Sequence, residues 1–282
     1  MTARAAVTLP LHSTLHPSMS HHRSPTRHAA RLCLALGLVC AAGAHASEAD
    51  ADITPYRPSV SNPAQLPTPG QLELELGGLH ARASAGEHRS ALPYLFKLAF
   101  DESWGVLLGG EAQVWQKDAG GRTQGVGDTV AVLKRAWKVD EATALGLEAG
   151  VKLPTAKDAL GSGKADHSLN GIYSRDLGPL HIDVNLNVAR LGRRDDPPGS
   201  SRTQLGASAS FSTALSDRWG ITGEWSGTHR KGDDNGSQVL AALTFSPSKR
   251  LTLDAGLART VHLGPNTTNV FAGAVFPITR FW

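Results

Sequence analysis

Thiols, long apolar runs and an excess of either charge are all scarce in this chain, and each scarcity closes off a class of function. Both of its 2 cysteines, Cys33 and Cys40, lie before position 47. From Ser47 onward there is no thiol, which excludes a disulfide framework and thiolate chemistry there. A lipoprotein reading of Cys40 fails on Val39, which stands where a small residue is needed. The apolar run from Leu32 to Ala44 falls short of the roughly 20 residues that a membrane-spanning helix requires. The formal charge of +3 is deceptive. Four of the 28 basic residues (Arg4, Arg23, Arg27, Arg31) precede Ser47 and no acid does, which leaves 24 bases against 25 acids. No basic surplus remains to attract nucleic acid.

What is present at the N-terminus has the order of a secretory signal. Arg27, His28 and Arg31 come before the apolar run, and Ala44-His45-Ala46 follows it as a small-x-small cleavage site. Residues 1–46 therefore read as a signal peptide, with Met19 as a start that would give a leader of ordinary length. The histidines His12, His16, His21, His22 and His28 belong to that leader rather than to a metal-binding tail. Residues 47–70 contain Pro55, Pro58, Pro63, Pro67 and Pro69. Proline lacks an N–H and cannot extend a strand ladder, so this stretch reads as a periplasmic N-terminal linker.

Residues 71–282 show no strong helical period and repeated strict alternation. Leu180, Ile182, Val184, Leu186 and Val188 share one face, with His181, Asp183, Asn185 and Asn187 on the other. Leu145, Leu147, Ala149, Val151 and Leu153 oppose Gly146, Glu148, Gly150 and Lys152. Strands are expected near 71–79, 91–100, 104–116, 127–138, 143–153, 167–176, 180–191, 203–214, 219–229, 238–246, 251–261 and 269–282. Their connections alternate long and short, as the outer loops and periplasmic turns of outer-membrane barrels do. Phe100, Trp104, Trp137, Phe211, Trp219, Phe245 and Trp282 fall close to a short turn or the terminus, as an interfacial aromatic ring would, and Trp115 falls near the opposite rim. The fold expected is an all-β, transmembrane, antiparallel up-and-down β-barrel of about twelve strands in the bacterial outer membrane. Its partners would be outer-membrane lipid and lipopolysaccharide. The terminal Phe281-Trp282 would address the barrel-assembly machinery.

Two stretches carry a family resemblance. Gly125-Val-Gly127-Asp128-Thr129 opens a strand that runs to Lys134, and Val151-Lys152-Leu153-Pro154-Thr155 is followed by Leu160-Gly161-Ser162-Gly163 and Asp166. This pattern resembles the outer-membrane transporter family of the MetA pathway of phenol degradation, across roughly residues 100–282. The motif positions carried over are Gly127, Asp128, Pro154, Thr155, Gly161, Gly163 and Asp166. The pattern departs at the fourth strand, where an aromatic expected after Lys134 is displaced to Trp137. The resemblance implies an outer-membrane channel, with aromatic compounds among its solutes.

Other motifs point nowhere. Gly163-Lys164 invites a phosphate-loop reading, but that pattern needs Gly at 158 and Ser or Thr at 165, where the chain has Asp158 and Ala165. His167 and Ser168 are adjacent, so on a strand they point to opposite faces and cannot act as a base–nucleophile pair. Asn266-Thr267-Thr268 reads as a turn. No catalytic residue, cofactor or metal site is expected. The polar faces carry Glu73, Glu75, Glu111, Asp128, Glu148, Asp183, Glu224 and Asp254 against Lys97, Lys134, Lys138 and Lys152. With Asn185 among them, Glu111, Lys134, Glu148, Lys152, Asp183, Glu224 and Asp254 are the candidate lumen-lining residues. Such an acidic interior suits a passive channel for small solutes that favours cations or neutral molecules. Two alternatives stand beside it: a structural or adhesion barrel with a plugged lumen, and a lipid-modifying barrel enzyme.

Overall fold

A computed structural model describes residues 52–83, 86–157, 160–192, 199–233, 235–262 and 266–282. The leader expected at 1–46 lies outside these residues. The described chain contains thirteen strands: β1 (Gln71–Ala83), β2 (His88–Ala99), β3 (Trp104–Asp118), β4 (Gly121–Gly125), β5 (Thr129–Lys138), β6 (Thr143–Leu153), β7 (Asp166–Leu177), β8 (Leu180–Arg190), β9 (Thr203–Ala214), β10 (Trp219–His229), β11 (Gly236–Ser248), β12 (Leu251–His262) and β13 (Thr267–Arg280). Every neighbouring pair is antiparallel. The sheet closes on itself where β1 pairs with β13 and β2 with β3. Because β4 and β5 both pair with β3, at different heights, they share one position in the wall. The barrel is thus a closed ring of twelve positions, as the alternation implied.

Among the described strands, closure gives each a neighbour on both sides except short β4, whose outer side is free. Along β6 and β8 the alternation of exposed and buried residues matches the apolar and polar faces read from the sequence. Leu147, Leu186, Leu205, Leu243 and Leu257 are exposed on the outer wall, while Glu148, Asn185, Gln204 and Glu224 are buried within. That polarity is inside-out for a water-soluble protein and correct for a barrel in lipid. Phe100, Trp137, Phe211, Trp219 and Trp282 are exposed near the short-turn rim, where the rings of Trp219 and Phe245 stand 4.7 Å apart. The Arg135 guanidinium lies between the Trp104 and Trp137 rings, 4.8 Å and 5.0 Å from their centres. Trp225, in mid-strand on the outer wall, has no place in the expected ring.

Three expectations need correction. The connections near 80–90 and 117–126 are hairpin ends rather than long loops. The alternation of His80 to Ala83 carries β1 further, and Asp118-Ala119-Gly120-Gly121 turns β3 tightly into β4. The expected fourth strand, 127–138, begins at Thr129 and is preceded by a break. At Gly127 a Cβ would lie 2.5 Å from a Glu111 carboxylate oxygen, so only glycine lets the chain pass there. The inner face, polar on most strands, is interrupted by an apolar patch. Leu79, Leu240, Ala242, Ala258 and Phe271 point inward and cluster with Val60.

The largest correction concerns residues 52–70. They are not a linker outside the barrel. They enter it.

Candidate functional site

Residues 54–69 run once around the inside of the wall. The N–H groups of Thr54 and Tyr56 donate to Glu73 and Glu75 of β1. Arg57 reaches Asp254 of β12 through two hydrogen bonds of 2.8 Å and 2.9 Å. The N–H groups of Val60 and Ser61 both donate to Glu224 of β10. Ser61 meets Ser208 of β9 at 2.9 Å. Asn62 takes up Asn185 of β8 through its backbone and Glu148 of β6 through its side chain. Ala64 donates to Ser174 of β7, and the Pro63 carbonyl accepts from Lys134 of β5. Leu66 lies over Gly105 of β3, and Pro69 bridges to Ala99 at the end of β2. Gly70 then turns the chain into β1 with a φ of 79°.

The sequence explains why a chain of this composition can do this. A buried backbone N–H must find an acceptor. Prolines at 55, 58, 63, 67 and 69 remove five such donors. Of those that remain, the ones at Thr54, Tyr56, Arg57, Val60, Ser61, Asn62 and Ala64 each meet a carboxylate, an amide or a hydroxyl of the wall. An extended proline-rich segment has no ladder of its own, so the inward carboxylates serve as its ladder.

The charges are arranged to match. Lys97 lies 3.0 Å from Glu73 and 2.7 Å from Glu75, with all three side chains almost fully buried. It also donates to the Thr54 carbonyl. Lys134 lies 3.1 Å from Glu148. Between the two lysines sits the Tyr56 ring, with ammonium groups 4.4 Å and 4.2 Å from its centre. Its hydroxyl donates to the Gln65 carbonyl, which closes the segment on itself. Burying this many ions is costly unless each is paired and hydrogen-bonded. Arg57 shows how closely the fit is made. Its guanidinium rests on bare backbone where Gly77 faces Gly273 across the β1–β13 ladder, and a Cβ on Gly77 would lie 2.6 Å from its Nη1.

Of the lumen candidates, Lys134, Glu148, Asp183, Asn185, Glu224 and Asp254 are all buried on the inner face. Lys134, Glu148, Asn185, Glu224 and Asp254 hold the segment. Asp183 is engaged by Ser174, His181 and Ser210 of the wall. Glu111 pairs with Arg89 at 2.6 Å. Lys152 spans Asp166 at 2.7 Å and Asp128 at 3.5 Å. Arg57 and Arg89 are inward cations that alternation alone did not supply, because one lies in a proline-rich stretch and the other was placed in a loop.

The motif residues form a second centre at the long-loop end. Asp128 accepts from the N–H groups of Ala156 and Ser162, and Thr155 donates to the Gly127 carbonyl. Lys152 also donates to Ser162. Gly161 packs against the Asp128 carboxylate, where a Cβ would lie 2.8 Å from it. Pro154 and Gly163 belong to the same loop, and Gly163 has a φ of 68°. This cluster ties residues 154–157 and 160–163 across the break between β4 and β5. His167 is exposed on the outer wall while Ser168 faces inward, so the two are not brought together.

The segment divides the interior. On the short-turn side lies a cavity of about 410 Å³ between Tyr56–Pro63 and the lower parts of β8 to β12. On the other side, a small pocket of about 20 Å³ lies among Val60, Asn170, Asn187, Ser208 and Ser226.

No family model matches the sequence, and no curated protein does. Among solved structures, the chain is similar to an outer-membrane channel from Pseudomonas putida F1, at 16% sequence identity over 83% of this chain and 100% of that one, with a TM-score of 0.61. It is similar to the NanC porin at 9% identity over 73% and 100% of the two chains, with a TM-score of 0.58. A KdgM porin in complex with oligogalacturonate gives 9% identity over 73% and 99%, with a TM-score of 0.50. At these identities the likeness speaks for the fold: the chain is built on the barrel that outer-membrane channels and porins share.

Proposed function

We propose that the chain is a passive outer-membrane channel for small solutes, closed in this conformation by residues 54–69. The observation that carries the reading is how the lumen is filled. The wall's own side chains do not pack it shut. One segment, attached to the barrel by its C-terminal end at Gly70, fills it through hydrogen bonds and ion pairs that water can replace. The resemblance of the Asp128–Asp166 stretch to the phenol-pathway transporters supports aromatic or apolar compounds among the solutes. The exposed apolar wall supports contact with outer-membrane lipid and lipopolysaccharide, and the exposed Phe281 and Trp282 are available to the assembly machinery. The same filled lumen favours a second reading, a structural barrel permanently plugged.

A reversible tether separates the two. The chain from Ser47 onward has no cysteine, so an introduced pair is unique. Ser61→Cys with Ser208→Cys replaces hydroxyls 2.9 Å apart. In planar bilayers the oxidised protein should be silent, and reduction should restore openings at the parent's frequency. A parent and a reduced variant that are both silent, with intact barrels, would leave the permanent plug as the account.

A further inference from the structure

The cavity on the short-turn side is a constructed space rather than a packing gap. Its 410 Å³ falls within the range of about 300–1,000 Å³ typical of small-molecule sites. It exists because the inner faces of β9 to β12 carry small residues there: Ser210, Ser212, Gly220, Thr222, Thr244 and Thr252. Three of those hydroxyls, on Ser212, Thr222 and Thr244, make no hydrogen bond to any described residue. Ser212 and Thr222 face each other across the β9–β10 ladder, and the Thr244 hydroxyl lies over Gly220 on the next strand. Thr222 is only 5% exposed. Opposite this wall the roof presents the apolar faces of Pro55, Tyr56, Pro58 and Pro63, with Arg57, Ser59 and Ser61 between them.

The buried charge within the cavity is already paired. Asp183 is bound by Ser174, His181 and Ser210, and His181 also meets Asp176 at 2.6 Å. Arg57 is bound by Asp254. Asp217 and Arg218 stand exposed at the rim. A hydroxyl both donates and accepts, so three unpartnered hydroxyls facing the rings of Tyr56 and the prolines complement a solute with hydroxyl edges and an apolar face. They offer no fixed cation to an anion.

We propose that this cavity is a binding site for an uncharged, hydroxyl-bearing solute about the size of one pyranose ring. Because the roof is residues 55–63, the occupant touches the closing segment as well as the wall. The site gives the channel reading a solute class, but binding can be measured whether or not the barrel conducts. The experiment is saturation-transfer NMR on the refolded full chain, with methyl glucoside as the uncharged probe and glucuronate as its anionic counterpart. Methyl glucoside should bind saturably, and glucuronate about tenfold more weakly. Thr222→Val and Ser212→Ala should each weaken the glucoside several-fold, by the loss of one hydrogen bond. Thr244→Val gives a third strand's answer should either of those fail to fold, and Val239→Ala on the outer wall should change nothing. Equal binding of glucuronate, or unchanged binding in all folded hydroxyl variants, would overturn the proposal. So would the absence of saturable transfer from either sugar, since the cavity would then hold water alone. A silent bilayer with intact glucoside binding would remove the channel and leave the site.

Discussion

Arg57 concentrates the logic of this lumen in one side chain. Its guanidinium is almost fully buried, and its ionic partner is Asp254, 2.8 Å away. Removing one member of a buried pair leaves the other uncompensated, which costs about 3–5 kcal/mol. The ladder of the wall does not depend on this pair, so the cost should fall on the docking of the segment. Asp254→Ala should therefore speed hydrogen exchange at the Thr54, Tyr56, Val60 and Ser61 amides by about a hundredfold or more, the factor that such a loss implies. Gly77→Ala should act in the same direction by pushing a methyl group into the guanidinium. Gly78→Ala, with nothing within 4 Å of its added carbon, is the matching control. Unchanged segment amides beside an early-melting barrel would mean that Arg57 braces the wall instead.

At the scale of the element, the strands were legible and the segment was not. Period-two alternation is a local signal, and β5 to β10 begin within two residues of where it placed them. The break between β4 and β5 was less legible, because its cause is the approach of Gly127 to Glu111 on a different strand. The path of residues 54–69 was illegible for a related reason. Its wall partners lie from 18 residues to 197 residues away along the chain, and an extended proline-rich stretch looks the same free in solvent as docked. The inward carboxylates were found, but alternation shows only which way a side chain points, never what it meets. The loop around Asp128 can be tested at this scale. Asp128→Ala removes the acceptor of the Ala156 and Ser162 amides. Exchange at those two should rise about tenfold, on the order of one charge-assisted hydrogen bond, with β5 and β6 unaffected. If β5 and β6 loosen together with the loop, the break is part of the wall's stability rather than a seat for the loop.

For the whole molecule, the acidic interior acquires meaning in two states. With the segment docked, Glu224 and Glu148 are hydrogen-bonded by its N–H groups and by Asn62, and Asp254 is neutralised by Arg57. With the segment withdrawn, the same carboxylates face water, and Arg57 leaves with the segment. The open pore should therefore prefer cations, and the preference should weaken as salt screens it. Glu148→Gln with Glu224→Gln should shift the reversal potential in a salt gradient toward anion permeation, measured on openings of the reduced Ser61–Ser208 tether protein. An unshifted potential would place the selecting charges elsewhere in the barrel.

The circuit of the segment also sets an order of events in assembly. Its contacts run from β1 to β12, and its first described residues, Asp52 and Ile53, rest on Lys249 in the turn between β11 and β12. A half-built sheet presents only an arc of that circuit. The residues nearest the start of the barrel must therefore be among the last to find their places, after the final strands have joined the first. Docking is then a check on completion, because the barrel can be sealed from within only once its wall is whole.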